Sequence, residues 1–212
     1  MEANQYAIID LEMCRVPFAK KSEQYPCRNE IIEIGAVLVD ENLEITDTFK
    51  TYVSPEFGVL DDYIQKLTGI KNSDLENAPT LQKALEKFME WLPENAILVS
   101  WSDNDEYQIS EEMYYKYIEM PEFEKYLDNY EDCQEEFGRR MNSPKVYRLS
   151  EALAIADLEY DENIHDALVD ARNTALLFIK MKTETTLKLS PYYSTDTDSS
   201  ALTFKPFANL LS

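Results

Sequence analysis

The sequence predicts an α/β fold: a mixed sheet with helices packed on it. Three observations predict it. Apolar, β-branched runs of strand length recur between residues 6 and 53. Two later segments, near residues 81–92 and 166–181, repeat apolar residues at helical spacing. Between them another strand-like run, Ala96–Trp101, lies among helical segments, so strands and helices share one architecture.

Each element has its own signal. Tyr6-Ala-Ile-Ile-Asp-Leu reads as a buried strand, and a polar stretch follows from Arg15 to Asn29. Ile31–Val39 reads as a second strand, Asp40-Glu-Asn as a tight turn, and Ile45–Val53 as a third strand, giving an antiparallel meander. Leu60–Leu67 predicts a short helix ended near Gly69. Pro79-Thr80 opens an amphipathic helix carrying Leu81, Ala84, Leu85, Phe88, Trp91 and Leu92, which Pro93 stops. A helix is expected from about Glu106 to Tyr117, and another from Leu149 to Ala156. The acidic, aromatic segment Pro121–Phe137 has no clear period and stays unassigned. Asp166–Met181 predicts a second amphipathic helix, with Leu168, Ala171, Ala175, Phe178 and Ile179 on one side.

A chain of 212 residues suits one domain with a short appendage. The expected division is a domain over 1–183 and a C-terminal tail or docking arm over 184–212. Ser, Thr and Asp dominate residues 190–200, then Phe204, Phe207, Leu210 and Leu211 return. Such an arm could carry self-association; the oligomeric state is not legible. No run of eighteen apolar residues exists, and the N-terminus lacks a signal-peptide pattern. A cytoplasmic protein without a membrane partner is the expectation. Cys14, Cys27 and Cys133 are odd in number and form no Cys-x-x-Cys, so free thiols are expected. The formal charge of −21 disfavours a polyanionic partner at long range, yet suits a chain that commits carboxylates to hard cations.

Asp10-Leu-Glu12 ends the first strand-like run. Alternation puts Asp10 and Glu12 on one face, roughly 7 Å apart along the backbone. Two carboxylates so placed need a cation between them or water on both. Asp-Leu-Glu recurs at 74–76 and 157–159, but only the first copy continues an apolar strand. After the fourth strand come Asp103 and Asp105, each able to cap the next helix or to serve a site at a strand end. His165, the only histidine, precedes a helix with Asp166 as its cap and Asp170 one turn inside. A histidine near carboxylates titrates close to neutral pH and suits a general base.

Together these residues follow one order: Asp-x-Glu, a later Asp, then His-x4-Asp. Here the sequence resembles the DEDD exonuclease superfamily, in its histidine-containing branch. Asp10 and Glu12 match the first motif, Asp105 the second, and His165 with Asp170 the third. Glu30-Ile-Ile-Glu-Ile-Gly-Ala-Val-Leu38, Leu67-Thr-Gly-Ile70, Ala78-Pro79 and His165-Asp-Ala-Leu-Val-Asp-Ala-Arg-Asn-Thr-Ala175 extend the resemblance over roughly residues 6 to 180. It is most similar to the subgroup of histone-mRNA-type 3′ exonucleases and their bacterial relatives, with the proofreading subunit of bacterial replicative polymerase a more distant relative. Many members carry His-Asn before the second-motif aspartate; Ser100 and Trp101 stand here, and Trp101 reads as a core aromatic.

The resemblance implies an RNase H-like fold and a two-metal mechanism with Mg²⁺ or Mn²⁺. It implies 3′–5′ hydrolysis of single-stranded nucleic acid with a free 3′ end, RNA ahead of DNA, to 5′-nucleoside monophosphates. Asp10 would bridge both ions, Glu12 and Asp170 would hold the ion on the nucleophile's side, and Asp105 would support the other. His165 would take a proton from the attacking water. Arg139, Arg140, Lys145 and Arg148 form the best local basic cluster for phosphate contacts. Two rivals stand beside this reading: a DNA proofreading or repair exonuclease, and a non-catalytic module that uses its acidic face to hold a partner.

Overall fold

The structure, a computed structural model, describes residues 5–22, 25–161 and 165–193. The predicted meander is present as β1 (Tyr6–Arg15), β2 (Asn29–Val39) and β3 (Ile45–Tyr52), paired antiparallel. Asp40 makes the β2–β3 turn by accepting the amides of Asn42 and Glu44, both at 2.9 Å. β1 runs four residues past the Leu11 end expected from its apolar run, because its far half pairs with β2 as far as Asn29. β4 (Ile97–Ser100) lies parallel to β1, and β5 (Tyr130–Asp132) lies parallel to β4. Among the described residues the sheet order is β3-β2-β1-β4-β5.

The helices that the sequence predicted lie close to their signals, and three others, at Asn72–Leu75, Pro121–Leu127 and Cys133–Arg140, had none. α1 (Asp62–Thr68) starts with Asp61 accepting the amides of Tyr63 and Ile64, and ends at Gly69, whose φ of 76° a side chain would strain. α2 (Asn72–Leu75) is one turn. α3 (Leu81–Trp91) sets Leu81, Ala84, Leu85 and Phe88 inward. α4 (Asn104–Tyr115), α5 (Pro121–Leu127), α6 (Cys133–Arg140), α7 (Leu149–Ile155) and α8 (Ala167–Thr183) complete the set. The unassigned stretch thus holds α5, β5 and the start of α6. All three cysteines are free and buried.

Strand alternation sorts β1 onto two cores. Ala7, Ile9 and Leu11 face α3, α4 and α5, against Phe88, Ile109 and Phe123. Ile8 faces α6, α7 and α8, against Phe137, Leu153, Ala171 and Phe178. Each buried isoleucine, leucine or phenylalanine among them contributes about 1.5–3 kcal/mol. Asp10 and Glu12 continue the Ile8 row toward the carboxyl end of β1.

A buried charged brace fixes α4 against this end. Glu30, wholly buried, accepts the amides of Glu56 (2.7 Å) and Phe57 (2.8 Å) and pairs with Lys116 at 2.6 Å. Lys116 also meets Glu112 at 2.8 Å, and Glu112 accepts the Ile31 amide at 2.6 Å. Removing one member would leave the others charged and dry, so the set acts as one unit.

Residues 184–193 stay on the second core: Leu187 is buried there, Leu189 and Tyr193 pack against it, and Ser190 donates its amide to the Ile155 carbonyl at 2.7 Å. Phe204, Phe207, Leu210 and Leu211 lie outside the described residues. No described helix is long and apolar enough to cross a membrane.

Candidate functional site

The site forms just beyond the carboxyl end of β4, where β1 runs on past it. Parallel strands leave a crevice beyond their carboxyl ends, and side chains placed there reach the open. Asp10 sits opposite Gly35 and Glu12 opposite Glu33 in the β1–β2 register. Directly beyond Glu12 the register slips, so Met13 meets Ile31 and Ile32 is the extra residue. Bulges of this kind re-aim side chains.

The N-terminus of α8 is brought against these carboxylates by the absence of a side chain. A Cβ on Gly35 would lie 2.2 Å from both the Ala167 carbonyl carbon and the Leu168 amide nitrogen. Only glycine allows that approach. The helix start is then held three ways. Asp166 caps it, accepting the amides of Leu168 and Val169. Glu33 accepts the Ala167 amide at 3.0 Å. Lys50 bridges Glu33 (2.9 Å) and Asp166 (2.6 Å).

His165 precedes the cap in a left-handed conformation, φ 68°, and donates its amide to Asp170 Oδ2 at 2.9 Å. A non-glycine residue held there stores about 1–3 kcal/mol, repaid by the hydrogen bond and the docked helix. Ligand atoms of Glu12, His165 and Asp170 lie within 4.8 Å of one another. Asn173, buried one turn further along α8, exchanges two hydrogen bonds with the Asp161 backbone, at 3.0 and 3.2 Å.

Asp105 is the buried member of the two alternatives after β4. Asp103 occupies the N-cap position of α4 without a side-chain cap bond, whereas Asp105 lies in the first turn and is 7% exposed. Ser100, at one of the two departures from the family pattern, contacts the Tyr130 hydroxyl at 2.9 Å and the Ser102 carbonyl at 2.5 Å. Trp101 joins the second core, 6.2 Å from the Phe137 ring.

Burial and mutual repulsion act on every one of these carboxyls. Burial, then Asp105, Asp170 and Glu12, pushes Asp10 well above the usual carboxylate range. Burial, then Asp170 and Glu33, pushes Glu12 up to about 8. Burial pushes Asp105 up to about 7, opposed by polar contacts with Ser100 and the Leu11 backbone. Asp170 is raised by burial against the pull of His165. Four carboxyls that resist ionisation together, with an imidazole among them, are a donor set that fits divalent cations.

This predicts a pH dependence. In the unfolded chain Glu12 ionises at 4.5 and Asp105 at 3.8; folded and metal-free they hold their protons to about 8 and about 7. Across that window the folded state binds more protons, so its stability falls as pH rises from about 4 to about 8. Thermal denaturation in EDTA is expected to show Tm declining over this range, and stabilisation by added divalent cation growing over it. A Tm that rises from pH 5 to 8 in EDTA would contradict the assignment.

A cleft of about 610 Å³ opens on the site, lined by Asp10, Trp101, Tyr147, Arg148, His165 and Asp170 among others. Of the basic cluster, Arg148 lines this cleft. Arg139 and Arg140 pair with Glu136 at 2.5 and 2.7 Å, and Lys145 pairs with Glu151. Glu33, Lys50 and Asn173 were not singled out from sequence. Glu33 had a signal: it lies two residues before Gly35, on the alternation that puts both on one face of β2. Lys50 had none, because its contacts join residues 33, 50 and 166.

A five-stranded mixed sheet, an aspartate–glutamate strand and a histidine–aspartate helix start together define the exonuclease class of RNase H-like folds. The chain belongs to the Exonuclease family (RNase_T), whose model matches residues 7–178. It is 30% identical over 192 residues to DNA polymerase III subunit epsilon of Aquifex aeolicus, covering 89% of this chain and 87% of that protein. It is 27% identical over 164 residues to 3'-5' exoribonuclease 1 of Homo sapiens, covering 72% of this chain and 46% of that protein. A third relative, the PolC-type DNA polymerase III of Caldanaerobacter subterraneus, is 33% identical over 72% of this chain, which spans only 10% of its length. These identities do not place the polymerase relatives further away than the exoribonuclease. Among solved structures, the nuclease domain of 3'hExo, a DEDDh family member bound to rAMP, superposes with a TM-score of 0.73 at 25% identity, covering 89% of this chain and 96% of that one.

Proposed function

We propose that this protein is a 3′–5′ exonuclease that shortens single-stranded nucleic acid from a free 3′ end, with Mg²⁺ or Mn²⁺ at two positions. The observation that carries the reading is the convergence of Glu12, His165 and Asp170 ligand atoms within 4.8 Å, beside Asp10 in an open cleft. The cations, when bound, supply neutralisation of the carboxylates and of the charge gathering on the scissile phosphate.

The chain's own groups do the rest. Asp10, Glu12 and Asp170 would hold the cations, with Asp105 behind Asp10. His165 takes the proton from attacking water, and the left-handed turn at its backbone holds the imidazole beside Glu12 and Asp170. The Glu33–Lys50–Asp166 link holds the start of α8 and so orients both third-motif residues. Arg148, on the cleft wall, is placed to meet a substrate phosphate.

The test uses RNA and DNA single strands labelled at either end, with Mg²⁺, Mn²⁺ or EDTA. Release of mononucleotides from the 3′ end, abolished by EDTA and by His165→Ala, supports the reading and gives the sugar preference. A folded protein that leaves every strand intact with metal present would transfer the weight to an acidic docking module.

A further inference from the structure

The chain carries 20 basic residues against 41 acidic ones, so a positive surface stands out against its background. Residues 15–28 reverse the balance: Arg15, Lys20, Lys21 and Arg28 against the single acid Glu23. Arg15, Lys20 and Arg28 are exposed and Lys21 is half-buried. None of the four forms an ion pair among the described residues. Arg139, Arg140 and Lys145, by contrast, are held by carboxylates.

An aromatic ring stands among these free cations. Phe18 is 91% exposed and belongs to none of the apolar clusters. It heads a single 3-10 turn, Phe18–Lys20, closed by the Lys20 amide on the Pro17 carbonyl (2.8 Å) and the Lys21 amide on the Phe18 carbonyl (3.2 Å). The Val16 amide donates to the Arg28 carbonyl at 2.9 Å, which joins the two ends of the segment. Arg15 lies over the exposed ring of Tyr63, 5.5 Å from its centre. Burial does not account for a large apolar ring kept in water beside lysines. Stacking on a base does, since every base has a face to offer and a phosphate on each side.

The position completes the case. The segment leaves β1 beyond Glu12 and packs on the side of the sheet that α4 covers, so a strand lying on it would pass the end of β1 to reach Asp10 and Glu12. Arg15 is three residues beyond Glu12, roughly 10 Å along the strand, and Phe18 is within roughly 20 Å. We propose that Arg15, Phe18, Lys20, Lys21 and Arg28 form a landing surface for the single strand behind its 3′ end, with Phe18 stacking a base and the cations taking phosphates. This rests on the nuclease reading above and adds where the body of the substrate lies.

The test is binding of a fluorescein-labelled twelve-nucleotide single strand to the full chain, read by anisotropy in EDTA so that nothing is cut. Phe18→Ala is expected to weaken binding about tenfold. Lys20→Glu/Lys21→Glu is expected to weaken it at least about tenfold and to flatten the log–log salt slope by about 1.4 (~0.7 per phosphate). Lys83→Glu/Lys87→Glu makes the same charge change on the exposed side of α3 and is expected to stay within about twofold at moderate salt. Wild-type binding by both the Phe18 and the Lys20/Lys21 variants, or losses no larger than the α3 control, would overturn the proposal. Intact binding by a wild-type protein that shortens no strand with metal present would strike the nuclease reading instead and leave the surface standing.

Discussion

Gly35→Ala is expected to lower stability by about 3 kcal/mol and activity by about a hundredfold. The added Cβ meets backbone on α8, 2.2 Å from Ala167 and Leu168, and backbone cannot rotate aside as a side-chain tip can. Either β2 or the start of α8 must move. Moving α8 stretches the Glu33–Ala167 hydrogen bond and carries His165 and Asp170 away from Glu12. Gly138→Ala is the internal control. Its Cβ would find its nearest neighbours at 3.6 and 3.9 Å, so it should be neutral or stabilise α6 by up to about 1 kcal/mol. Chemical denaturation and initial rates measured on both variants check this; a Gly35→Ala protein as stable and active as wild type would show that the close approach is not required.

Asp10→Asn should do two opposite things. Activity is expected to fall at least about a thousandfold, because one charge that holds the cations is lost from the centre of the cluster. Metal-free stability is expected to rise, seen as a higher Tm. The reason is that Asp10 is crowded by Asp105, Asp170, Glu12 and Glu33 in a buried position, and its ionisation is opposed by all of them. A neutral isostere removes that repulsion. With Mn²⁺ present the order should invert, since only the wild type gains from the ion. Calorimetric scans of both proteins in EDTA and in Mn²⁺ test it. A destabilised Asp10→Asn in EDTA would mean that the carboxylate is satisfied by the protein alone, and that no cation need be invoked for it.

Much of this was legible in the residues themselves. Long periods survive in sequence: α3 and α8 appear nearly where their apolar spacing places them, and Gly69 ends α1 as expected. What was lost was short or non-local. β5 is three half-buried residues that become a strand only by lying beside β4, so no alternation could announce it. The far half of β1 is strand because β2 pairs with it, although Met13-Cys-Arg15 does not read as one. Between Asp103 and Asp105, local chemistry offered a capping role to both. Burial separates them, and burial is a property of the packed chain. Arg139, Arg140 and Lys145 show a local effect: Glu136, one turn back on the same helix, pairs with both arginines, and Glu151, six residues on, pairs with Lys145.

The central claim is that the raised carboxyls around Asp10 are a divalent-cation site. Isothermal titration of Mn²⁺ into metal-free protein, repeated in buffers of different ionisation heat, tests it most directly. Glu12 and Asp105 hold protons up to about 8 and about 7 in the metal-free chain, and a bound cation must displace them. The account predicts two saturable sites per chain, net proton release near pH 6.5 that fades as pH passes about 9, and loss of that binding in Asp10→Asn. Binding without proton release, or no saturable binding at all, would contradict it.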